Sequence, residues 1–345
     1  MPRHAFIIGG TGQIGRAVAS ELLDRGWTVT LSSRGMRPGA AGLVARGARM
    51  VVLDREEPGA LVTALSGGAD AVIDTVAYGK AHADQLLEAE SDVGAFVVIS
   101  SSSVYRDYAG RTLDEAAKGG FPDFPAPIRE TQPTVEPGPQ TYSTSKVALE
   151  RRLLEGATRP VIVLRPGAIH GPYSTHPREW WFVKRMLDRR PVIPLTHRGQ
   201  SRFHTTAVAN IARLTGIVVD RPQTHILNIA DPVAHTVFEI GGLIAGHLGY
   251  AGRILPIGLP EHVADASIGW SPWSVPAPFT LDTEAATALG YQAAARYEDC
   301  VAATCNWLVS ESNGDWKKAF PILAAYPNDA FDYLAEDAFL SGRAA

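Results

Sequence analysis

The sequence contains only two cysteines, Cys300 and Cys305. Five residues apart in a stretch that reads as helix, they turn to different faces and suit neither a disulfide nor a metal clip. No long run of lysine or arginine occurs, and the formal net charge is −4 over 345 residues, which argues against a dedicated nucleic-acid surface. No internal repeat and no low-complexity segment is present, so solenoids and arrays are excluded. The first apolar run, Ala5-Phe6-Ile7-Ile8, is too short for a signal peptide or a membrane span. A cytoplasmic chain without membrane association is therefore expected. Hydrophobic residues at 46% and charged residues at 20% leave out disordered, collagen-like and coiled-coil classes.

What is present is a rhythm of short apolar runs and helical periods, the pattern of a parallel sheet wrapped by helices. Strands are expected at Ala5 to Ile8, Thr28 to Leu31, Arg49 to Leu53, Ala71 to Ile73, Phe96 to Ile99 and Val161 to Leu164. Their apolar runs are continuous rather than alternating, as in strands covered on both faces. Between the first two, Ile14, Val18 and Leu22 fall on one face of a helix over Ile14 to Arg25, completing a βαβ unit. Residues 106–140 carry Pro122, Pro125, Pro127, Pro133, Pro137 and Pro139 and read as a long inserted loop. Six of the seven tryptophans lie between Trp180 and Trp316, past the last of these strands. The expected class is α/β, a Rossmann-type doubly wound parallel sheet with a smaller C-terminal substrate-binding lobe. The sheet domain spans 1–168 with the insertion, and the lobe 169–345, with segments around 205–230 returning to the sheet domain. A terminal helix is expected around Phe331, Leu334 and Phe339.

Gly9, Gly12 and Gly15 stand directly after the first strand and open the first helix, with Thr11, Gln13 and Ile14 between them. In that context Gly9 permits the tight turn, Gly12 lets the backbone approach a pyrophosphate, and Gly15 lets helix and strand pack closely. The helix N-terminus offers N–H groups to the anion. At the tip of the second strand, Ser33 stands where an acidic residue would accept from the adenosine ribose, and Arg34 and Arg37 can pair with a 2′-phosphate. NADP(H) is therefore expected over NAD(H). Asp54, flanked by Arg55, follows the third strand and can accept from the adenine amino group, or serve as an ordinary turn residue.

Tyr142 and Lys146 are four residues apart, one turn of a helix, so a phenol and an ammonium share a face. A nearby cation favours the phenolate of a side chain whose free pKa is about 10, which suits it to proton exchange with a substrate oxygen. One strand earlier, Phe96-Val97-Val98-Ile99 runs into Ser100-Ser101-Ser102-Ser103-Val104-Tyr105, a hydroxyl cluster at the carboxyl end of a parallel strand, where open α/β sheets bind ligands.

With these features, and with Leu164-Arg165-Pro166 leading to Gly171-Pro172, the chain resembles the short-chain dehydrogenase/reductase superfamily over roughly residues 4–310, in particular its extended, epimerase/dehydratase-like branch. The wording around Val72 to Val76 and Ser101 to Tyr105 is similar to an atypical subgroup that includes chloroplast RNA-binding relatives. The resemblance implies that Ser101 holds the substrate oxygen and that Tyr142 is the acid/base. It implies that Lys146 lowers the tyrosine pKa and grips the nicotinamide ribose. It places Val76, Ala77 and Pro166 along the cofactor, and Ala168 and Ile169 near the carboxamide. Dehydratases of this branch carry acidic residues directly after the hydroxyl, where Ser102 and Ser103 stand here, so dehydration is disfavoured. Ala168 replaces the asparagine that holds a sugar diphosphate, which puts a nucleotide-sugar substrate in doubt.

The expected function is an NADP(H)-dependent oxidoreductase moving a hydride to or from a small carbonyl or alcohol. The alternatives are an NAD(P)-dependent epimerase working by internal redox and a non-catalytic cofactor-sensing or RNA-binding protein. Trp180, Trp181, Phe182, Trp270 and Trp273 suggest an apolar or ring-bearing substrate, with Phe121 and Phe124 on the insertion acting as a lid, or else core packing. His170, His197 and His204 lack ligand spacing, so no metal is expected. The resemblance implies a homodimer joined through the helix holding Tyr142 and the one after Tyr78. No nucleic-acid partner is expected.

Overall fold

The computed structural model describes residues 2–35, 40–259, 267–326 and 329–342. In chain order its strands are β1 (His4–Ile8), β2 (Thr28–Ser33), β3 (Arg49–Val52), β4 (Ala71–Asp74), β5 (Phe96–Ile99), β6 (Val161–Pro166), β7 (Ala168–His170), β8 (Val192–Leu195), β9 (Thr205–Ala207), β10 (His225–Ile229) and β11 (Arg253–Pro256). The chain divides into two compact units.

The first unit comprises residues 1–167, 208–230 and 281–294. Its seven strands form one parallel sheet in the order β10-β6-β5-β4-β1-β2-β3. Strand order reverses between β1 and β4, so the crevice outside their carboxyl ends is the topological switch point of a Rossmann-type sheet. Phe6, Ile8, Val72, Phe96, Val98, Val161 and Val163 pack with Leu61, Leu65, Leu86, Leu149 and Leu153 from the helices Ala60–Leu65, Lys80–Glu88 and Tyr142–Gly156. Ile7, Ile73, Val97 and Ile162 alternate with the first set along the same strands and are also fully buried. Both faces are therefore covered, which is why the apolar runs are unbroken; each such side chain contributes about 1.5–3 kcal/mol of burial. The helix Gln13–Asp24 buries Val18 and Leu22 and packs along Val208–Asp220.

The insertion is tied down rather than loose. Arg106 N–H donates to the Pro133 carbonyl, Val135 N–H to Val104, and the buried Asp107 carboxylate accepts from Arg111 and from Asp123 N–H. A short helix, Ala116–Gly119, interrupts it. Residues 281–294 add to this unit, where Asp282 N–H donates to the Ile128 carbonyl and Arg129 pairs with Asp282.

The second unit comprises residues 168–207, 231–280 and 295–345. It holds two parallel strand pairs, β8 with β11 and β7 with β9, and the helices Trp180–Leu187, Val237–Leu248 and Tyr297–Ser312. Trp180, Trp181, Phe182 and Trp273 are core residues here, none more than 3% exposed, packed with Ile193, Ile240 and Tyr297. Of the two readings of these rings, substrate-facing or core packing, the structure shows core packing: apolar surface of that size is what holds a small unit together. Trp270, at 43% exposure, stands outside that core. The terminal helix Tyr333–Gly342 docks through Glu336, which accepts from Arg185 at 2.6 Å with both side chains buried, while the guanidinium stacks on Trp181 at 3.7 Å.

His170 Nε2 lies 2.7 Å from the Asp231 carboxylate and His204 Nε2 lies 2.9 Å from the Asp231 carbonyl, while His197 rests against the Trp270 ring. Among the described residues no group of three His, Cys, Asp or Glu side chains is placed to hold a metal, and no helix is long and apolar enough to cross a membrane.

Candidate functional site

At the switch point, β1 ends in a turn whose geometry only glycine satisfies. Gly9 has φ +79°, and a Cβ there would lie 2.5 Å from Thr75 Oγ1 and 2.7 Å from Val76 Cγ1. A Cβ on Gly15 would lie 2.5 Å from the Gly9 carbonyl oxygen, so the third glycine lets the helix sit directly on the turn. Gly12 is the N-cap of that helix, and no side chain caps it. Its N–H donates back to Gly9, and Arg16 Nε donates to the Thr11 carbonyl. This cradle is bare backbone facing a helix N-terminus, and its residues fit a dinucleotide pyrophosphate.

The other expected cofactor residues divide. Ser33 ends β2 and accepts from Gly35 N–H, and Arg34 beside it is exposed. Arg37 lies outside the described residues. Asp54 Oδ1 accepts from Glu56 N–H, the arrangement of a strand-end turn. Arg55 departs from the expectation: it is 8% exposed, bonded to Asp74 Oδ2 at 2.5 Å and to Gln85 Oε1 at 2.9 Å. Its charge is committed to the carboxylate at the end of β4, because a guanidinium buried there requires a partner. Asp74 Oδ1 in turn accepts from Val76 N–H, shaping the chain that leads to half-exposed Val76 and buried Ala77. Pro166 ends β6 in the first unit, and Ile169 lies on β7 in the second.

The helix Tyr142–Gly156 begins at a capping box, with Thr141 Oγ1 accepting from Thr144 N–H and Thr144 Oγ1 accepting from Thr141 N–H. Asp114 adds a carboxylate that accepts from Ser143 N–H, the favourable sign at that end of a helix. Thus anchored, the helix presents Tyr142 at 41% exposure and Lys146 at 5%. Lys146 Nζ donates to the carbonyls of Ala77 at 2.6 Å and Ile99 at 2.8 Å, and lies 5.6 Å from the centroid of the Tyr142 ring. Those carbonyls belong to the loop after β4 and to the end of β5. Burial pushes this ammonium down to about 8, with the Asp74 and Glu150 carboxylates opposing the shift. Tyr78 packs edge-on against the Tyr142 ring at 5.7 Å.

Ser101 follows β5. Its Oγ accepts from Ser103 N–H at 3.1 Å and lies 2.9 Å from Ser103 Oγ, which accepts from Ser143 Oγ at 2.9 Å. Beneath it runs a buried network the sequence reading missed. Ser100 donates to Glu150, which Arg165 Nε grips at 3.0 Å; Arg165 Nη1 donates to Tyr105 Oη, and Tyr105 to Asn228 Oδ1 at 2.7 Å. Burial pushes the Tyr105 phenol up to about 12, so it stays a neutral donor. Glu150 stands one turn beyond Lys146, so the spacing of 142, 146 and 150 already placed it on the helix face that carries Tyr142 and Lys146.

The NAD dependent epimerase/dehydratase family matches residues 5–230 of the chain. No curated protein matches it. Among solved structures, the UDP-glucose 4-epimerase of Thermus thermophilus in complex with NAD is 19% identical with a TM-score of 0.65, over 88% of this chain and 98% of that one. The Bordetella bronchiseptica enzyme WbmH in complex with NAD+ is 17% identical with a TM-score of 0.69, over 90% and 99%. The UDP-glucose 4-epimerase of Thermotoga maritima with UDP-glucose is 18% identical with a TM-score of 0.67, over 89% and 99%. At these identities the likeness is one of fold.

Proposed function

The chain belongs to the NAD dependent epimerase/dehydratase family, and from that premise we propose that it is a pyridine-nucleotide-dependent oxidoreductase acting on a small carbonyl or alcohol. The observation that carries this reading is the pairing of half-exposed Tyr142 with buried Lys146, whose Nζ grips the Ile99 carbonyl at the end of the strand that leads into Ser101. Gly9, Gly12 and Gly15 would hold the pyrophosphate. Once bound, the dinucleotide supplies the donor or acceptor of the hydride. Tyr142 gives or takes the proton at the substrate oxygen, Ser101 orients that oxygen, and Lys146 holds a positive charge near the phenol.

NADP(H) is the cofactor this reading favours, because the tip of β2 offers Ser33 in place of a carboxylate and the exposed Arg34 beside it. A second reading, epimerisation by internal redox, draws on the family and on the two UDP-glucose 4-epimerases above; it uses the same residues and differs in retaining its cofactor through each turnover.

Oxidation of NADPH and NADH against a panel of aldehydes and ketones tests the proposal. Turnover is expected, preferentially with NADPH, and Tyr142→Phe is expected to lower it by about 10²–10⁴. Undiminished turnover in that variant would remove Tyr142 from the mechanism.

A further inference from the structure

The three hydroxyls Ser143, Ser103 and Ser101 form a chain with a direction. Ser143 Oγ donates to Ser103 Oγ, and Ser103 Oγ is bonded to Ser101 Oγ, which also accepts from Ser103 N–H. A serine hydroxyl has one proton to give and two lone pairs to fill. If Ser103 passes its proton to Ser101, the bonds run head to tail from Ser143 to Ser101, and each polarises the next. The reverse arrangement makes Ser103 an acceptor on both sides and breaks that cooperativity. In the head-to-tail order both lone pairs of Ser101 Oγ are taken, one by Ser103 N–H and one by the Ser103 hydroxyl. All that Ser101 has left to offer is its own proton.

We propose that Ser103 and Ser143 are positioning residues that turn the Ser101 proton outward, so that the substrate oxygen recognised there accepts a hydrogen bond from Ser101. The proposal rests on the reading of Ser101 as the substrate-facing hydroxyl. It adds to that reading the direction of the bond and the residues that set it: Ser101 donates, and the substrate oxygen accepts while its own proton exchange is left to Tyr142. Ser143 is fully buried within the first turn of the helix that carries Tyr142, so the same capped turn fixes the acid/base and the source of the chain.

Neutron diffraction from deuterium-exchanged crystals of the full chain reads the hydroxyl deuterons directly. The Ser103 deuteron is expected on the line to Ser101 Oγ, with the Ser101 deuteron pointing away from Ser103; a Ser101 deuteron aimed at Ser103 overturns the proposal. In kinetics with NADPH and a carbonyl from the panel, Ser103→Ala is expected to lower kcat on the order of tenfold, the equivalent of one lost orienting hydrogen bond, with KM little changed. Ser103→Thr, which keeps the hydroxyl, should restore kcat. An unchanged kcat in Ser103→Ala overturns the proposal and leaves the oxidoreductase reading intact. A wild-type chain inactive on the whole panel counts against the oxidoreductase reading instead, and the deuteron positions then decide this proposal by themselves.

Discussion

The Nζ of Lys146 lies 5.6 Å from the centroid of the Tyr142 ring, buried to 5% exposure where the phenol is 41% exposed. Two of its three N–H donors go to backbone carbonyls, so the charge is held at a fixed point one turn below the ring. Fixing a cation this way needs no carboxylate contact, and leaves its field acting on the phenol.

That geometry sets a pH dependence. The Lys146 ammonium titrates at about 8. A rate that needs the charged lysine is therefore level below pH 8 and falls above it. Lys146→Arg, whose guanidinium stays charged, should move this basic limb upward. The profile of kcat/KM for NADPH oxidation checks it, and an unmoved limb would assign the titration to another group. For stability the sign is the opposite of that for a lysine gaining an ion-pair partner. The folded value lies below the 10.5 of a free lysine, so the folded state binds fewer protons between the two values. Lys146 therefore adds to stability as pH rises through that window.

Gly15→Ala places a Cβ 2.5 Å from the Gly9 carbonyl oxygen and 2.7 Å from Gly10 Cα. Backbone cannot swing aside as a side chain can, so the variant is expected to lose about 1–3 kcal/mol of stability. Cofactor affinity should fall with it, since the same turn forms the cradle. Thermal melts and a fluorescence titration with NADPH measure both; a normal melt with normal affinity would contradict the packing described for the turn.

Glu150→Ala leaves the Arg165 guanidinium buried without its carboxylate and removes the acceptor of Ser100. Breaking a buried pair from one side destabilises by about 3–5 kcal/mol, whereas replacing both partners with apolar residues is far milder. Urea unfolding of Glu150→Ala, and of Glu150→Leu combined with Arg165→Met, should show the double variant recovering more than half of the loss.

Arg34→Ala tests cofactor choice. Removing an exposed guanidinium beside Ser33 is expected to weaken NADPH binding by roughly ten- to a hundredfold while changing NADH binding little, the range of one charge-assisted hydrogen bond. Dissociation constants for both nucleotides decide it; equal losses for the two would take Arg34 away from the 2′-phosphate.

How far the molecule could be read from its sequence depends on the distance over which each feature is encoded. Six of the seven sheet strands were legible, most clearly where both faces are covered and the apolar run is unbroken, as at Phe96 to Ile99; β10, whose run His225–Ile229 includes His225 and Asn228, was not among those expected. The glycine turn was legible because strand, turn and helix are contiguous. Tyr142 and Lys146 share one helix, so their spacing alone places them together. The Arg165, Tyr105 and Asn228 network joins residues 60 and 123 positions apart, and no local pattern marks such partners. Arg55 read as the cofactor-side neighbour of Asp54 because Asp74, its partner, stands 19 residues later, at the end of β4. The tryptophans showed where a second core would form, but whether a ring in that core meets solvent is decided by packing from Ile193, Ile240 and Tyr297.

The carbonyls of Ala77 and Ile99 come from the loop after β4 and from the end of β5, two strands paired side by side, and one ammonium grips both. Lys146 is thus a rivet through the edge of the sheet as well as a charge beside the phenol. A replacement chosen only to silence the chemistry, such as Lys146→Met, therefore also unfastens the loop after β4 from the end of β5, and amide exchange there should quicken. Lost activity in such a variant would report a loosened seam together with a missing charge.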